Sequence, residues 1–260
     1  MKRPFPALLV LILMLSAAAP SCAREPLRYA FRIDQTLRHD IGAYTQGLFF
    51  YKGKLYESTG QYGESSMRIV DLASGQVVKQ KSFPRRYFIE GSCILGDKLY
   101  VLTWQERTCF VLDPETFDQL GTFSYQGEGW GLTTDGKELI MSDGSATLCF
   151  RDPLSFRQLR RVEVTFKGKP VHYLNELEYI DGEIWANVYG SEVIVRIDPK
   201  SGKVNSVVDC SGILPASLRK TSTDVFNGIA LNAETGYIYV TGKYWPKLYR
   251  ISAVESSKPR

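Results

Sequence analysis

Residues 226–251 of this 260-residue chain, FNGIALNAETGYIYVTGKYWPKLYRI, predict two β-strands around a turn and the start of a third strand. Apolar residues flank the AETG turn on both sides, as expected of a β-hairpin. Two polar residues interrupt this pattern at the strand ends: Asn227 opens the first strand and Lys243 follows the second. Neither residue type is common in an apolar sheet core, so both suggest a role other than packing.

The same hairpin pattern occurs four more times, each with a Gly-, Asp- or Asn-rich turn between two apolar strands. The copies are TQGLFFYKGKLYESTG (45–60), IEGSCILGDKLYVLTWQ (89–105), GWGLTTDGKELIMSDG (129–144) and LNELEYIDGEIWANVYG (174–190). After each of these four, a third strand ends at an aspartate, followed by a turn and a fourth strand; the aspartates are Asp71, Asp113, Asp152 and Asp198. Because Asp commonly caps such turns, we interpret them as turn residues rather than catalytic groups.

Five repeats of about 40 to 45 residues, each with four predicted strands, are typical of a β-propeller. The fifth repeat ends after its third strand, and the missing outer strand is predicted to come from residues 27–40, LRYAFRIDQTLRHD. The sequence therefore predicts an all-β chain with one domain over residues 24–260. This domain is a five-bladed β-propeller of four-stranded blades, closed by the N-terminal strand. Since a closed propeller needs no partner for its stability, we expect a monomer.

Residues 1–23 have the features of an export signal. A basic start, MKRP, precedes the nine-residue apolar run ALLVLILML and the small residues SAAAPSCA, with predicted cleavage after Ala23. The apolar run is too short for a stable membrane span. Cys22 offers the alternative of a lipid anchor, but Ala19 stands where lipoprotein signals prefer Leu. We therefore favour an exported protein, periplasmic or secreted, over a lipid-anchored one.

Composition argues against several classes of function. With 32 basic and 28 acidic residues and no Lys/Arg runs, the chain does not resemble a nucleic-acid-binding protein. It has His39 and His172 as its two histidines and no CxxC pair, so neither a zinc site nor a cofactor is expected. A structural cation held by backbone carbonyls would leave no such signal. In an exported chain, the even number of remaining cysteines permits disulfides, with three possible connectivities among Cys93, Cys109, Cys149 and Cys210.

Equivalent positions in the five repeats should form rings, because the innermost strand of each propeller blade lines the central channel. The residues that open the first strands are Gln46, Glu90, Trp130, Asn175 and Asn227. The residues just past the second strands are Gly60, Trp104, Gly144, Tyr189 and Lys243. The start of one strand and the end of the next lie side by side in an antiparallel hairpin, so both rings should meet at one mouth of the channel.

These rings, with Phe88 two residues before Glu90, predict a small-ligand cavity with aromatic walls and a few convergent polar groups. Burial would raise the pKa of Glu90 and the nearby Lys243 would lower it, and the sequence leaves open which effect prevails. We assign the remaining two tryptophans to the core: Trp185 and Trp245. We interpret two further acids as solvent-facing or locally hydrogen-bonded residues rather than ligands: Glu176 and Glu178.

Several motifs resemble the plant and bacterial type of glutaminyl cyclase. They include YTQGLFF (44–50), GEGWGLTTDGKELIMSDGS (127–145) and VTGKYWPKLYRI (240–251), in the same order over nearly all of the predicted mature chain. The resemblance implies a five-bladed propeller, unrelated to the zinc-dependent animal enzyme, that converts an N-terminal glutaminyl residue of a peptide to pyroglutamyl with release of ammonia. It also implies seven site residues: Gln46, Phe88, Glu90, Trp104, Trp130, Asn175 and Lys243.

On this hypothesis Glu90 carries the proton, and Lys243 with Asn175 or Gln46 stabilises the oxyanion without a metal. Substrate binding is predicted for Trp104, Trp130, Phe88, Tyr189 and Asn227. The plant form has a Trp where this chain has Tyr189, which adds a hydroxyl to that wall. The alternative is a non-enzymatic propeller that binds a peptide terminus or a sugar in the same aromatic cavity, and ammonia release from Gln-initiated peptides would distinguish the two.

Overall fold

The computed structural model describes residues 25–256. The predicted signal peptide, with Cys22 and the cleavage position after Ala23, lies outside these residues. The described chain is all-β, as predicted, with one 3-10 helix (Ala216–Leu218) among its strands. None of its helices has the length and apolar character needed to cross a membrane.

Three antiparallel sheets of four strands follow one another along the chain, each with its strands in sequence order. The first group is β2 (Thr45–Tyr51), β3 (Lys54–Thr59), β4 (Ser66–Val70) and β5 (Val77–Ser82). The second group is β6 (Ile89–Leu95), β7 (Lys98–Thr103), β8 (Thr108–Leu112) and β9 (Gln119–Ser124). The third group is β10 (Leu132–Thr134), β11 (Leu139–Met141), β12 (Thr147–Arg151) and β13 (Gln158–Glu163).

The remaining strands form a two-stranded hairpin and one sheet of eight strands. The hairpin is β14 (Thr165–Phe166) and β15 (Lys169–Pro170). The fourth group is β16 (Leu174–Ile180), β17 (Glu183–Val188), β18 (Val193–Ile197) and β19 (Val204–Asp209). The fifth group is β20 (Phe226–Asn232), β21 (Tyr237–Gly242), β22 (Lys247–Glu255) and the N-terminal strand β1 (Leu27–Arg38).

Strand β1 lies beside the third strand of the fifth repeat, where the sequence predicted it. It pairs antiparallel with β22 from Tyr29 opposite Glu255 to Arg38 opposite Lys247. Its first residues also pair parallel with β19, through Leu27 opposite Ser206 and the three pairs that follow. This second pairing was not predicted, and it merges the fourth and fifth groups into one sheet of eight strands.

The turn interpretation of the four repeated aspartates is confirmed. Each follows the last residue of a third strand, and its Oδ1 accepts a hydrogen bond from the backbone N–H three residues later. The pairs are Asp71 with Ser74, Asp113 with Thr116, Asp152 with Ser155 and Asp198 with Ser201, at 2.8, 2.7, 2.7 and 2.6 Å. An aspartate side chain that accepts hydrogen bonds from the backbone N–H groups just after it is the turn chemistry expected of these residues.

Five hydrophobic clusters hold the groups together, and four of them lie between groups that follow one another in the chain. The fifth cluster closes this order, because Leu48 and Leu55 of the first group pack with Tyr239 and Leu248 of the fifth. The first strands contact one another in the same cyclic order: β2 with β6, β6 with β10, β10 with β16, β16 with β20 and β20 with β2.

The core assignments of the two tryptophans are confirmed, and the four cysteines of the described residues form no disulfide. Trp185 and Trp245 belong to the cluster between the fourth and fifth groups. All four cysteines of residues 25–256 are buried and free, and burial raises the pKa of each thiol. Three of them belong to the same hydrophobic clusters, where they pack as apolar side chains: Cys93, Cys109 and Cys210.

A buried ionic network joins the residue after β1, His39, to β3 of the first group and to the turn between β21 and β22. His39 Nδ1 lies 2.7 Å from the Trp245 carbonyl oxygen, and Nε2 lies 3.0 Å from Glu57 Oε1. Thr45 Oγ1 donates to the same carboxylate oxygen at 2.7 Å. Because both partners of the ring are acceptors, both ring nitrogens of His39 must donate. Burial opposes the charge, but Glu57 outweighs it and raises the pKa of His39.

We expect His39→Gln to destabilise the fold in a pH-dependent way. The raised pKa of His39 means that its stabilising contribution is full below the ordinary value of 6.5 and is lost as the pH rises through the raised value. Removing one partner of a buried pair costs about 3 kcal/mol. Thermal unfolding should show this loss near pH 6 and a smaller loss near pH 9, whereas the exposed control His172→Gln should show neither. An equal loss at both pH values would contradict a charged His39.

Candidate active site

A cavity of about 340 Å³ lies where the first strands begin and the second strands end. We call it the axial cavity. Its lining residues are Tyr44, Gln46, Gln61, Phe88, Glu90, Trp104, Trp130, Asn175, Tyr189 and Lys243. Eight of the nine residues predicted for the site are among them, so the two rings meet at one end of the fold. Asn227 is the exception.

Irregular strand pairing directs the polar lining residues inward. The register of β2 with β3 shifts at Gln46, that of β6 with β7 at Glu90, and that of β16 with β17 at Asn175. The pairing of β20 with β21 shifts in the same way at Asn227. A β-bulge inserts an extra residue and re-aims the side chains around it. The repeat therefore places a bulge, rather than a regular pair, at the start of these inner strands.

The residue after each member of the first ring lies where the inner strands approach closely. In four repeats it is glycine, and a Cβ on Gly131 would lie only 2.0 Å from the Asn175 carbonyl oxygen. The fourth repeat has Glu176 instead. Its buried carboxylate accepts hydrogen bonds from Leu48 N–H at 3.3 Å and Ile229 N–H at 2.9 Å.

The sequence interpretation of Glu176 as a solvent-facing or locally hydrogen-bonded residue is therefore wrong, and that of Glu178 is incomplete. Glu178 also accepts a hydrogen bond from a distant strand, through Leu231 N–H at 2.9 Å. Through these hydrogen bonds both carboxyls join β16 to other inner strands. Burial raises the pKa of both carboxyls, and that of Glu178 to about 8. Alternation along β16 could not reveal this, because the partners lie more than fifty positions away in the chain.

Two members of the second ring are glycines, and their lack of a side chain leaves room for the walls of the cavity. A Cβ on Gly60 would lie 2.4 Å from the Phe88 ring, and one on Gly144 would lie 2.7 Å from the Trp130 ring. These glycines leave the space that the two aromatic rings occupy. A larger residue at either position would displace a wall of the cavity.

Glu90 is the buried acid of the cavity, with 5% of its surface exposed. Gln46 Nε2 donates to its Oε1 at 3.0 Å. Burial raises the pKa of Glu90 well above its ordinary value; Lys243 opposes this shift, and Glu128 and Glu106 add to it. The question left open by the sequence is thus answered, since burial outweighs Lys243. Such a carboxyl can accept and return a proton closer to neutral pH than an exposed one.

Lys243 is the buried cation, with 3% of its surface exposed. Its Nζ lies 4.5 Å from the centroid of the Tyr44 ring and 5.4 Å from that of Tyr189. Within residues 25–256 no carboxylate lies within ion-pairing distance of it, and burial lowers its pKa despite the opposing charges of Glu90 and Asp224. The ammonium therefore contacts aromatic faces and keeps its donors for a ligand oxygen.

The two indoles of the cavity wall share one acceptor. Glu128 Oε2 accepts hydrogen bonds from Trp104 Nε1 at 2.7 Å and Trp130 Nε1 at 2.9 Å, and Oε1 accepts one from Gln105 Nε2 at 3.1 Å. These donors outweigh partial burial and lower the pKa of Glu128, so it is a carboxylate. This residue was not predicted for the site, although it stands two positions before Trp130 in GEGW.

Comparison with known proteins places the chain in a family. Residues 7–253 match the sequence model of the glutamine cyclotransferase family. The chain belongs to this family. A curated glutaminyl-peptide cyclotransferase of Arabidopsis thaliana is 42% identical over 226 residues, which cover 84% of this chain and 70% of the plant protein. The crystal structure of Myxococcus xanthus glutaminyl cyclase has a TM-score of 0.84 and 34% identity, covering 90% of this chain and 100% of that chain.

The resemblance to glutaminyl cyclases predicted from the motifs is thus confirmed. Two residues that line the axial cavity of this family member were not predicted, Tyr44 and Gln61. Tyr44 precedes Gln46 by two positions, as Phe88 precedes Glu90, and this equivalence was the available signal. Gln61 directly follows Gly60 and has a φ of 97°, a conformation that non-glycine residues rarely adopt.

Asn227 does not line the axial cavity of this family member, contrary to the prediction. It is fully buried, and its Nδ2 donates to the Thr45 carbonyl oxygen at 3.0 Å. The amide nitrogen therefore joins β20 to β2. Within residues 25–256, no group of three or more His, Cys, Asp or Glu side chains is arranged so that it could hold a metal ion.

Proposed function

We propose that the protein is a glutaminyl-peptide cyclotransferase, which converts the N-terminal glutaminyl residue of a peptide or protein to pyroglutamyl and releases ammonia. The observation that carries this proposal is that Glu90 and Lys243, an acid–base group and a cation without a carboxylate partner, open into one aromatic-walled cavity. Family membership and the similarity to the Arabidopsis thaliana protein support it.

The reaction is an intramolecular acyl transfer. The substrate α-amine attacks the carbonyl carbon of its own side-chain amide, forming a C–N bond. As a carboxylate, Glu90 takes the proton that the attacking nitrogen must lose. The tetrahedral intermediate then breaks its bond to the amide nitrogen, and Glu90 returns the proton to that nitrogen, which leaves as ammonia. Positioned proton transfer of this kind contributes about 10²–10⁴-fold in rate.

Lys243 stabilises the negative charge that develops on the carbonyl oxygen. Its ammonium has donors free for that oxygen, and Asn175 or Gln46 adds an amide donor from the same cavity. A well-placed donor of this kind contributes about 3–4 kcal/mol to the transition state. No step needs a metal ion, so activity should survive chelation, and its loss with recovery on zinc addition would overturn this part of the proposal.

The aromatic walls hold the glutaminyl side chain in a curled conformation, with its amine and carbonyl in contact. Phe88, Trp104, Trp130 and Tyr189 supply these walls, and Glu128 fixes the two indoles. Orientation is a major term in such a reaction, because both reacting groups belong to one molecule. Tyr189 packs edge-on against Trp130 at 5.8 Å between centroids, so the wall it forms is aromatic in this chain too.

We further propose that the fold is a five-bladed β-propeller closed by β1, which acts as a monomer. The five clusters between successive groups and the cyclic contacts of the first strands support this arrangement. The signal-like residues 1–23 support export to the periplasm or medium.

Mass spectrometry of a Gln-initiated peptide incubated with the purified, metal-stripped protein tests the proposed function. We expect the peptide to lose the mass of one ammonia, and a peptide that begins with Asn to remain unchanged. Binding of the peptide without any mass loss would overturn the enzymatic proposal and favour a peptide-binding propeller.

A further inference from the structure

Two carboxylates beside the axial cavity have no part in the proton transfers, Glu106 and Glu128. Glu128 holds both indoles, as described above. Glu106 accepts a hydrogen bond from Tyr62 Oη at 2.8 Å and a longer one from Phe88 N–H at 3.3 Å. The Tyr62 ring packs edge-on against Phe88 at 5.4 Å between centroids. Both carboxylates are thus fixed to aromatic groups that form or flank the cavity wall.

Both carboxylates are half-buried, so each meets solvent while its charge reaches into the cavity. Each raises the pKa of Glu90, and Lys243 is the cation that opposes them there. A further cation, Arg85, lies beside Gly63 in the loop that carries Tyr62, and is not among the charges that shift Glu90. Within residues 25–256, the charges that act on Glu90 from outside the cavity lining are therefore two anions, Glu106 and Glu128.

An independent feature indicates that the cavity takes a ligand that carries an N–H donor. Gln46 is 2% exposed, and its Oε1 has no donor within the described residues. Its Nε2 is already bonded to Glu90, so the free oxygen is fixed in place next to the acid. A buried acceptor without a partner is costly unless a ligand supplies the N–H. The amine of a peptide terminus would do so.

We propose that Glu106 and Glu128 select substrates by charge, favouring peptides with Lys or Arg directly after the terminal glutamine over those with Asp or Glu. This inference depends on the proposed function. With the glutaminyl residue at Glu90, the rest of the peptide must leave the cavity toward solvent, and both half-buried carboxylates meet solvent beside the aromatic wall. A cationic side chain there is attracted by both anions, and an anionic one is repelled.

The test compares kcat/KM for Gln-Lys-Ala, Gln-Ala-Ala and Gln-Glu-Ala at low salt. We expect the lysine peptide to exceed the glutamate peptide by about tenfold, the size expected for charges separated by several ångströms near the surface. In about 1 M salt the ratio should fall to roughly twofold, because the Debye length becomes about 3 Å.

Two variants separate selection by charge from a structural role. Glu106→Gln and Glu128→Gln keep the side-chain shape and an acceptor oxygen, so each should lower the lysine-to-glutamate ratio by about threefold. A purely structural residue would lower kcat/KM for both peptides equally and leave the ratio unchanged. The matched control is Glu115→Gln, an exposed carboxylate that pairs with Lys52, and it should not change the ratio.

Different results of these measurements would overturn the proposed function and the proposed selection by charge. Failure of the wild-type protein to release ammonia from any of the three peptides would overturn the proposed function. Turnover with a ratio near one, or a ratio that salt does not change, would overturn charge selection and leave the function intact. Since these two measurements use the wild-type protein, they decide the question even if a variant fails to fold.

Discussion

Replacement of Glu90 by glutamine should lower kcat by about 10²–10⁴-fold, the contribution of one positioned proton carrier. The glutamine keeps the size of the side chain and can still accept a hydrogen bond from Gln46 Nε2, which now reaches the carboxylate at 3.0 Å. Substrate binding should therefore change little. Ammonia release under saturating Gln-Ala-Ala gives kcat, and the substrate dependence gives KM.

The same variant should be at least as stable as the wild type. Burial raises the pKa of Glu90, so its contribution to stability is full below the ordinary value of 4.5 and is lost as the pH rises through the raised value. Glu90→Gln has no ionisable group at this position and therefore does not lose this stability as the pH rises. Its melting temperature should exceed that of the wild type by a larger margin at higher pH. In wild-type kinetics, the same ionisation should appear as a rate that rises with pH.

Glu178→Gln is the matched control for this variant. Glu178 is another buried carboxyl with a raised pKa, but its partner is Leu231 N–H, and it does not line the axial cavity. Its replacement should leave kcat within about threefold of wild type, since a glutamine oxygen can accept the same bond. Activity of Glu90→Gln above about a tenth of wild type would show that Glu90 is not the proton carrier.

The repeat pattern made most of the fold predictable. Hairpins with turn residues at fixed positions recur along the chain, and local turn chemistry at Asp71 and its equivalents does not depend on distant contacts. The pairing of residues 27–38 with β22 could be inferred because the fifth repeat lacked a strand. The extra parallel pairing of β1 with β19 could not, since nothing in the local pattern of Leu27–Ala30 specifies a second neighbour.

The site was predictable where symmetry determines position, and not where a side chain reaches another strand. Equivalence between repeats brought Glu90 and Lys243 to one cavity. It failed at Asn227, because the same bulge can direct an amide either to the cavity or to the backbone of β2. Glu128 and Glu176 were missed for a related reason. Their partners are indole N–H and backbone N–H groups that come close to these carboxylates only in the folded chain.

Replacement of Lys243 by methionine should lower kcat by about 10²–10³-fold, as expected from the loss of one oxyanion donor. Methionine retains most of the length and can still pack on the Tyr44 and Tyr189 rings, which the Nζ now approaches at 4.5 and 5.4 Å. Because Lys243 is buried without a carboxylate partner, the variant should be as stable as wild type or more so. Burial lowers the pKa of Lys243, so the active ammonium is lost as the pH rises through that value, and wild-type kcat should fall at alkaline pH.

In the Lys243→Met variant this alkaline fall should disappear, while the rise assigned to Glu90 should remain, because the two limbs belong to different groups. Lys247→Met, four residues further along and not part of the cavity lining, is the control and should keep both limbs. A Lys243→Met enzyme with an unchanged kcat and a raised KM would place Lys243 in ground-state binding instead. A reduced kcat that retains the alkaline limb would assign that limb to another group.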